Sequence, residues 1–222
     1  MPLTLGFDVF GTLIDTHGVI VQLQTMIGDD APRFSQVWRE KQLEYTFRRG
    51  LMNQYQDFGV CTRDALNYTA QLLGHPLSKD QKQGLLESYS LLPAFSDTIQ
   101  GLKDVKTAGH RLFAFSNGQE HAVDTVLTNA GIRDYFEGIV SVDSIGTFKP
   151  NPATYHHFLE STATTAQDSW LISCNSFDVI GALAIEMNAA WIQRSTAVAF
   201  DPWEYEPTVT LSSLEQLANN LN

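Results

Sequence analysis

The first dozen residues of the chain place the strongest constraint on its fold. Residues 3–7 read LTLGF, a stretch suited to a buried strand, and Asp8 follows them directly. Gly11 and Thr12 then form a predicted turn. In an open parallel α/β sheet, ligands bind at the carboxyl ends of the strands. This position would place Asp8 where chemistry takes place, although an Asp near a Gly more commonly only caps a turn.

The spacing of apolar residues changes twice along the chain. Between residues 17 and 92 it is helical, and Ser78 is a predicted N-cap for a helix over 79–92. Strand-like and helical segments alternate after that region. The predicted strands lie at 111–116, within 134–142, around Cys174 and at 189–193, and the predicted helices lie at 96–107, 120–129, 179–184 and 211–221. This order predicts an α/β fold with a helical insertion after the first strand.

Composition argues against several kinds of partner. With 222 residues and 43% hydrophobic content, the chain can form one core domain with a modest insertion. The net charge of -11 argues against nucleic acid or an anionic membrane as a partner, since either would require a basic face. We recognise neither an amino-terminal signal nor an apolar run of roughly 20 residues. Cys61 and Cys174 lack metal-ligand spacing, so we expect reduced thiols in a cytoplasmic protein.

The segment Phe7–Leu13 resembles the first motif of the haloacid dehalogenase superfamily, in which the residue matching Asp8 is a covalent nucleophile. Most members are phosphatases and carry a second Asp two positions later as a general acid and base. Phe10 occupies that position here. A phenyl ring cannot transfer a proton to a leaving alcohol, but it can form the wall of an apolar pocket. The pattern therefore resembles the 2-haloacid dehalogenases within the superfamily.

The resemblance implies a fold and a domain organisation. We expect a Rossmann-like core with a mostly parallel sheet, formed by residues 1–16 and 93–222. The helical region 17–92 resembles the inserted cap domain of the superfamily. A cap of this kind would close the pocket and exclude water. The resemblance also implies a homodimer.

A segment of the helical region carries a second resemblance. Residues 38–46 (WREKQLEYT) are similar to the cap helix of the dehalogenases, in which the arginine matching Arg39 receives the departing halide. A guanidinium is an always-charged donor fork suited to an anion. The alternative is a solvated arginine that pairs with Glu40 or Glu44.

The second and third motifs follow in the core. Ser116 ends a predicted strand, and the resemblance implies that Ser116 binds the substrate carboxylate while Asn117 helps to receive the halide. A helix N-cap is the alternative for Ser116. The pair Lys149-Pro150 resembles the third motif, and we expect Pro150 in the first turn of a helix that aims Lys149 inward. Lys149 would hold the nucleophile and substrate carboxylates by charge, whereas an exposed lysine is the alternative.

The fourth motif separates the possible functions. Phosphatases of the superfamily carry an Asp where Ser173 stands, and that Asp helps to hold magnesium. Ser173, Asn175 and Asp178 instead match the dehalogenase form of the motif. With Ser173 and Phe10 in place, two of the usual anchors for magnesium are missing or weakened. We therefore expect neither a metal nor another cofactor.

The resemblance implies a pocket and a mechanism, although apolar pocket residues could equally be plain core. The implied substrate-binding residues are Phe10, Leu43, Phe58, Ser116, Asn117, Tyr155 and Phe177, and the implied halide-binding residues are Arg39, Asn117 and Phe177. The implied catalytic residues are Asp8, Thr12, Arg39, Lys149, Ser173, Asn175 and Asp178. Asp8 would displace halide from a short-chain L-2-haloacid with inversion and form an ester. Water activated by Asp178 would then release the 2-hydroxy acid.

Two rival functions remain at this point. A phosphatase or phosphonatase-like hydrolase of the same superfamily predicts magnesium-dependent release of phosphate, and Phe10 and Ser173 argue against it. A non-catalytic module on the same fold predicts loss of some acids and anchors. Asp8, Lys149 and Asp178 are all present, which argues against that module.

Overall fold

The computed structural model describes residues 2–221, and a parallel sheet lies at their centre. Within that range six strands pair in the order β3-β2-β1-β4-β5-β6, and every pairing is parallel. The strands are β1 (Thr4–Phe7), β2 (Arg111–Ser116), β3 (Gly138–Ser141), β4 (Ser169–Ser173), β5 (Asn188–Ile192) and β6 (Val209–Leu211). Because β1 pairs with both β2 and β4, the residues that follow these three strands meet at one edge of the sheet.

Helices cover the sheet and form the insertion after β1. The helices of the insertion are α1 (Val19–Ile27), α2 (Ala31–Leu51), α3 (Phe58–Leu72) and α4 (Lys79–Ser88). The later helices are α5 (Thr98–Thr107), α6 (Glu120–Asn129), α7 (Pro152–Thr162) and α8 (Ser176–Leu183). The predicted α/β fold with a parallel sheet and an inserted helical region is therefore confirmed. No helix in the described range has both the length and the apolar character of a membrane span.

Local signals account for several element ends. Ser78 is the N-cap of α4 as predicted, because its Oγ accepts from Gln81 N while its own N donates to Gln81 Oε1. In the sheet, Gly6 allows close packing of α7. A Cβ at Gly6 would lie 2.8 Å from a ring carbon of Phe158, so the absence of a side chain lets this ring lie directly on β1.

Two sequence predictions about element ends are wrong. Residues 209–211 form strand β6 and residues 214–219 form a short 3-10 helix, where the sequence predicts one helix over 211–221. Pairing of β6 with the edge of β5 overrides the helical spacing. Pro150 is not in the first turn of a helix, because α7 begins at Pro152 with Asn151 as its N-cap. Lys149 nevertheless points inward and is buried.

Candidate active site

The candidate site lies at the carboxyl ends of the central strands. The predicted polar residues that meet there are Asp8 and Thr12 after β1, Ser116 and Asn117 at the end of β2, Ser173 and Asn175 at the end of β4, Lys149 before α7 and Asp178 on α8. All of them are buried except Asn175, which is half-buried. The topology thus brings together four motifs that are far apart in the chain.

The two carboxylate oxygens of Asp8 have different surroundings. Its Oδ2 accepts hydrogen bonds from Asn175 Nδ2 at 2.8 Å, Thr12 Oγ1 at 2.9 Å and Ser173 Oγ at 3.2 Å. Its Oδ1 accepts no hydrogen bond from the part of the chain that the structure describes, and Lys149 Nζ lies 3.5 Å away. The Asp8 side chain is 12% exposed. Oδ2 is therefore held in place by three hydrogen bonds, whereas Oδ1 has only the ionic contact with Lys149 and keeps its lone pairs free of hydrogen bonds from the described residues.

The donors to Asp8 are themselves held by backbone groups. Thr12 Oγ1 accepts from Cys174 N at 2.9 Å, so its proton is directed toward Asp8. Ser173 Oγ accepts from Asn175 N at 3.1 Å, which directs the serine proton in the same way. These contacts fix the orientation of the Asp8 carboxylate.

Lys149 connects the two acids of the site. Its side chain is 1% exposed, and its Nζ donates to Asp178 Oδ2 and to Phe115 O, both at 2.9 Å. The backbone N of Lys149 donates to Asn117 Oδ1 at 2.9 Å, which joins the third motif to the second. The structure therefore excludes the exposed-lysine alternative. In the described range no group of three or more His, Cys, Asp or Glu side chains could hold a metal ion. That finding does not test the expected absence of a metal, which stays a prediction.

Asp178 is an acid with an unusual environment. Burial raises its pKa to about 6, and the nearby charge of Asp8 acts in the same direction, whereas Lys149 and Tyr155 lower it. Tyr155 donates from its OH to Asp178 Oδ1 at 2.8 Å. Burial and the adjacent Asp178 raise the pKa of Tyr155 well above its usual value, which keeps the tyrosine protonated as a donor. A carboxylate poised near neutral pH is suited to accept a proton.

Ser116 is the last residue of β2 and is not at a helix end. Its Oγ accepts from Gly118 N at 3.0 Å, while the N-cap of α6 is Gln119. The N-cap alternative for Ser116 is thus wrong. Within residues 2–221 the Ser116 hydroxyl donates to no protein acceptor, which leaves its proton free for an anion. The Asn117 amide nitrogen likewise donates to no acceptor in that range, since only Oδ1 of its side chain is engaged.

Arg39 reaches the site from α2 and is held by neutral groups. Its Nη1 donates to Gln42 Oε1 at 2.7 Å, and its Nη2 donates to the main-chain O of Phe10 at 3.2 Å. No carboxylate of the described residues lies within 4.0 Å of its guanidinium. Glu40 instead accepts from Gln36. The positive charge of Arg39 is therefore not neutralised by an ion pair.

The other proposed partner of Arg39 is also engaged elsewhere. Glu44 forms ion pairs with Lys41 and Arg48 on the same helix. The lysine lowers the pKa of Glu44, which is consistent with that pairing. The alternative of a surface arginine paired with Glu40 or Glu44 is thus contradicted.

Phe10 and Phe58 form an aromatic wall between the core and the helical insertion. Their rings stack with centroids 5.9 Å apart, and Tyr89 lies 6.3 Å from Phe10. A cavity of about 480 Å³ adjoins this wall. Its lining residues are Phe10, Phe58, Gly59, Thr62, Arg63, Gln83, Leu86, Tyr89, Ser90, Gly118, Gln119, His121, Ala122 and Thr125. The cavity offers an apolar surface beside Gly118, two residues after Ser116.

A second cavity of about 590 Å³ lies on the side of Arg39 and Asn175. Asp8 lines neither cavity, but Phe10, two residues after it, lines the first cavity, and Gly11 lines the second. Leu43 and Phe177 line neither of these two cavities. Both are half-buried, and the Phe177 ring packs edge-on against Phe47 at 5.0 Å. Their predicted pocket roles stay predictions.

The sequence patterns did not identify two residues that support the site. Gln42 holds Arg39, and Tyr89 packs on Phe10. Gln42 lies three residues after Arg39, on the same face of α2, and is fully buried. The one local signal for Gln42 is an uncharged polar residue three positions after Arg39 on the same helix.

Comparisons with known proteins agree with this arrangement. The sequence model of the haloacid dehalogenase-like hydrolase family matches residues 3–173. An (S)-2-haloacid dehalogenase from Pseudomonas sp. (strain YL) is 33% identical over 210 residues, 95% of this chain and 90% of that protein. Another from Pseudomonas putida is 32% identical over 96% of this chain and 93% of that protein. The solved L-2-haloacid dehalogenase from Xanthobacter autotrophicus with chloropropionic acid covalently bound has a TM-score of 0.90 and 28% identity, covering 99% of this chain and 98% of that chain.

Proposed function

Because the chain belongs to the haloacid dehalogenase-like hydrolases, and among them to the (S)-2-haloacid dehalogenase family, we propose that it hydrolyses short-chain L-2-haloalkanoic acids to 2-hydroxy acids. The observation that carries this proposal is the pair of unequal oxygens on Asp8. Oδ2 is held by three donors while Oδ1 is free, and the neighbouring position of the usual second acid is occupied by Phe10. Such a site favours covalent attack by a carboxylate over acid-assisted phosphate transfer.

The first step is displacement at the carbon that bears the halogen. Asp8 Oδ1 attacks this carbon from the side opposite the halogen, a carbon–oxygen ester bond forms, and the carbon–halogen bond breaks. The halide leaves with the bonding electron pair and is received by Arg39, with Asn117 and Phe177 as further contacts. The charge of Arg39 supports this role because no carboxylate of residues 2–221 pairs with it. One displacement at that carbon inverts its configuration.

The substrate carboxylate requires donors of its own. We assign this role to the Ser116 hydroxyl and to the N-terminal end of α6, with Lys149 as the nearby cation. The substituent on the reacting carbon would then lie against Phe10 and Phe58. Separate donors for the carboxylate and the halide provide the basis for selecting one enantiomer.

The second step is hydrolysis of the ester. Because Oδ1 carries the substrate, Oδ2 becomes the ester carbonyl oxygen, and it already accepts from Thr12, Ser173 and Asn175. Water attacks the carbonyl carbon of Asp8, and these donors stabilise the negative charge that develops on Oδ2. Asp178 accepts the proton of the water, since two of its lone pairs remain after the bonds from Lys149 and Tyr155. The intermediate then breaks the bond between the Asp8 carbonyl carbon and Oδ1, and the leaving oxygen takes the proton held by Asp178, which releases the 2-hydroxy acid. Asp8 keeps the oxygen of the water, and loss of its remaining proton to solvent restores the carboxylate.

The deciding experiment measures halide release from each enantiomer of 2-chloropropionate with a chelator present. A parallel reaction measures hydrolysis of a generic phosphate ester with magnesium. We expect chloride from the L enantiomer alone, at a rate that the chelator does not change. Magnesium-dependent phosphate release without chloride would contradict the proposal and favour a phosphatase.

The proposal also includes the domain bounds, the oligomeric state, the cellular location and the partners of the protein. We place the core domain at residues 1–16 and 93–222 and the cap domain at 17–92, with the aromatic wall between them. We also propose a cytoplasmic homodimer that acts on a small-molecule 2-haloacid, without nucleic acid, membrane or cofactor. Both Cys61 and Cys174 are free thiols, in keeping with a reducing compartment. Sedimentation velocity of the purified protein would test the dimer.

A further inference from the structure

Gln42 is a fully buried amide on α2 to which the reaction steps above assign no part. Its Oε1 accepts from Arg39 Nη1 at 2.7 Å, and its Nε2 donates to Thr62 Oγ1 on α3. We propose that Gln42 is a positioning residue that holds Arg39 in the orientation that receives the halide. This inference rests on the proposed function, because the halide step gives Arg39 its role.

Thr62 determines which way the Gln42 amide faces. The Thr62 hydroxyl donates to Phe58 O at 2.8 Å, so its oxygen can only accept from Gln42. Gln42 must therefore turn its NH2 group toward Thr62 and its carbonyl toward Arg39. Trp38 Nε1 donates to Thr62 O at 2.9 Å and fixes α3 against α2 at the same point. The acceptor offered to Arg39 is thus set by the neighbouring helix.

The neutrality of Gln42 is part of its function. Both acceptors that hold Arg39, the Gln42 carbonyl and the main-chain O of Phe10, carry no net charge. Neutral acceptors orient a guanidinium and leave its positive charge available to an anion. A carboxylate at position 42 would orient Arg39 as well but would cancel the charge that attracts the halide.

The same contacts join the halide side of the site to its aromatic wall. Arg39 bonds to Phe10, the Phe10 ring stacks on Phe58, Phe58 O accepts from Thr62, and Thr62 accepts from Gln42. The bond from Arg39 to Gln42 closes a ring of five residues, of which Phe10 lies in the loop after β1 and the other four lie in the insertion. Loss of the Gln42 amide opens this ring at both Arg39 and Thr62, and we expect the stacked phenylalanines to stay in place.

The test compares two Gln42 variants in single-turnover reactions with L-2-chloropropionate. Gln42→Met keeps the length of the side chain and removes both hydrogen bonds, whereas Gln42→Glu keeps the acceptor and adds a charge. We expect Gln42→Met to slow ester formation by about 10- to 100-fold, the size of effect that a misplaced group causes, with ester hydrolysis unchanged. We expect Gln42→Glu also to slow ester formation, and both variants to bind inhibitory bromide more weakly. Equal slowing of the two steps, or wild-type ester formation in either variant, would overturn the proposal.

The structure offers a matched control on α3. Thr69 is buried, as Thr62 is, and its hydroxyl donates the same kind of hydrogen bond, to Ala65 O at 2.8 Å. Among residues 2–221 the Thr69 hydroxyl makes no hydrogen bond to α2. We expect Thr62→Val to slow ester formation, Thr62→Ser to restore it, and Thr69→Val to leave it unchanged. Slowing by Thr69→Val as large as that by Thr62→Val would mean that general loss of helix stability is responsible, and the proposal would be wrong.

A crystal structure of Gln42→Met separates this inference from the proposed function. If the wild-type protein releases no halide from 2-haloacids, the proposed function is wrong. The position of the Arg39 guanidinium in the variant still shows whether Gln42 holds it. Movement of the guanidinium away from Phe10 O in the variant supports Gln42 as the positioning residue. A guanidinium unchanged from the wild-type crystal structure contradicts it.

Discussion

The Lys149 ammonium donates to Asp178 Oδ2 at 2.9 Å, and both side chains are 1% exposed. The same ammonium lies 3.5 Å from Asp8 Oδ1. One buried cation therefore serves two buried carboxylates that have separate steps in the proposed reaction. This arrangement keeps the nucleophile and the base in one network but leaves a lone pair available on each.

Lys149→Met should destabilise the protein and abolish turnover. Removal of the ammonium leaves Asp178 without its ion-pair partner, and breaking a buried pair in this way typically costs about 3–5 kcal/mol. We expect a decrease of that size in the free energy of unfolding, measured with urea at pH 7.5. The exposed Lys103→Met is the control and should change little. Addition of Asp178→Asn should recover part of the loss, and a double variant no more stable than Lys149→Met alone would contradict this account.

Asp8→Asn should eliminate halide release. The amide has no nucleophilic oxygen at the position of Oδ1, so the ester cannot form. Mass spectrometry of acid-quenched protein after reaction with L-2-chloropropionate should detect the added mass of a 1-carboxyethyl group on the wild type and not on the variant. Sustained chloride release by pure Asp8→Asn would exclude the covalent mechanism.

Ester hydrolysis should depend on pH through Asp178. In the free protein, burial and the nearby charge of Asp8 raise the pKa of Asp178 to about 6. In the ester Asp8 carries no charge, so the pKa of Asp178 should lie below that value, and the base form is lost as the pH falls through it. On the acid side of that pKa the hydrolysis rate should fall about tenfold for each pH unit, because only the ionised carboxylate accepts a proton from water. Single-turnover reactions that follow decay of the ester at decreasing pH would measure this. An Asp178→Asn variant whose ester decays at the wild-type rate would remove Asp178 as the base.

Gly181→Ala should disturb the same base without touching it directly. A Cβ at Gly181 would overlap with the hydroxyl of Tyr155, which donates to Asp178 Oδ1. Loss of that hydrogen bond removes a contact that lowers the pKa of Asp178. The acid limb of the pH profile, where the rate of ester hydrolysis falls with decreasing pH, should therefore move to higher pH. The overlap should also lower the free energy of unfolding by about 1–3 kcal/mol.

Two comparisons isolate the cause of the Gly181→Ala effect. Tyr155→Phe removes the hydroxyl without overlap and should shift the acid limb in the same direction. Gly84→Ala, in a helix where the nearest atom to the new Cβ is the flexible Gln22 Nε2 at 3.3 Å, should leave the limb in place. An unchanged acid limb in Tyr155→Phe would show that the tyrosine does not hold Asp178 in its ionised form.

Much of the architecture was predictable because its signals are local. The apolar strand before Asp8, the capping pair at the start of α4 and the strand that ends at Ser116 each depend on a few adjacent residues. The β6 segment at 209–211 was not predictable in this way. Its conformation depends on pairing with β5, and a short apolar segment is compatible with either helix or strand until a partner is known.

The sequence by itself determined which residue types stand at the four motifs: the acid at position 8, the phenyl group at position 10, the lysine at 149 and the acid at 178. The tertiary structure alone decided which oxygen of Asp8 is free and that Arg39 has no acidic partner within the described residues. The physical reason is that these properties depend on contacts between residues far apart in the chain, such as Asn175 with Asp8. Spacing along the chain identifies the groups present, whereas packing determines which lone pairs and charges remain unpaired.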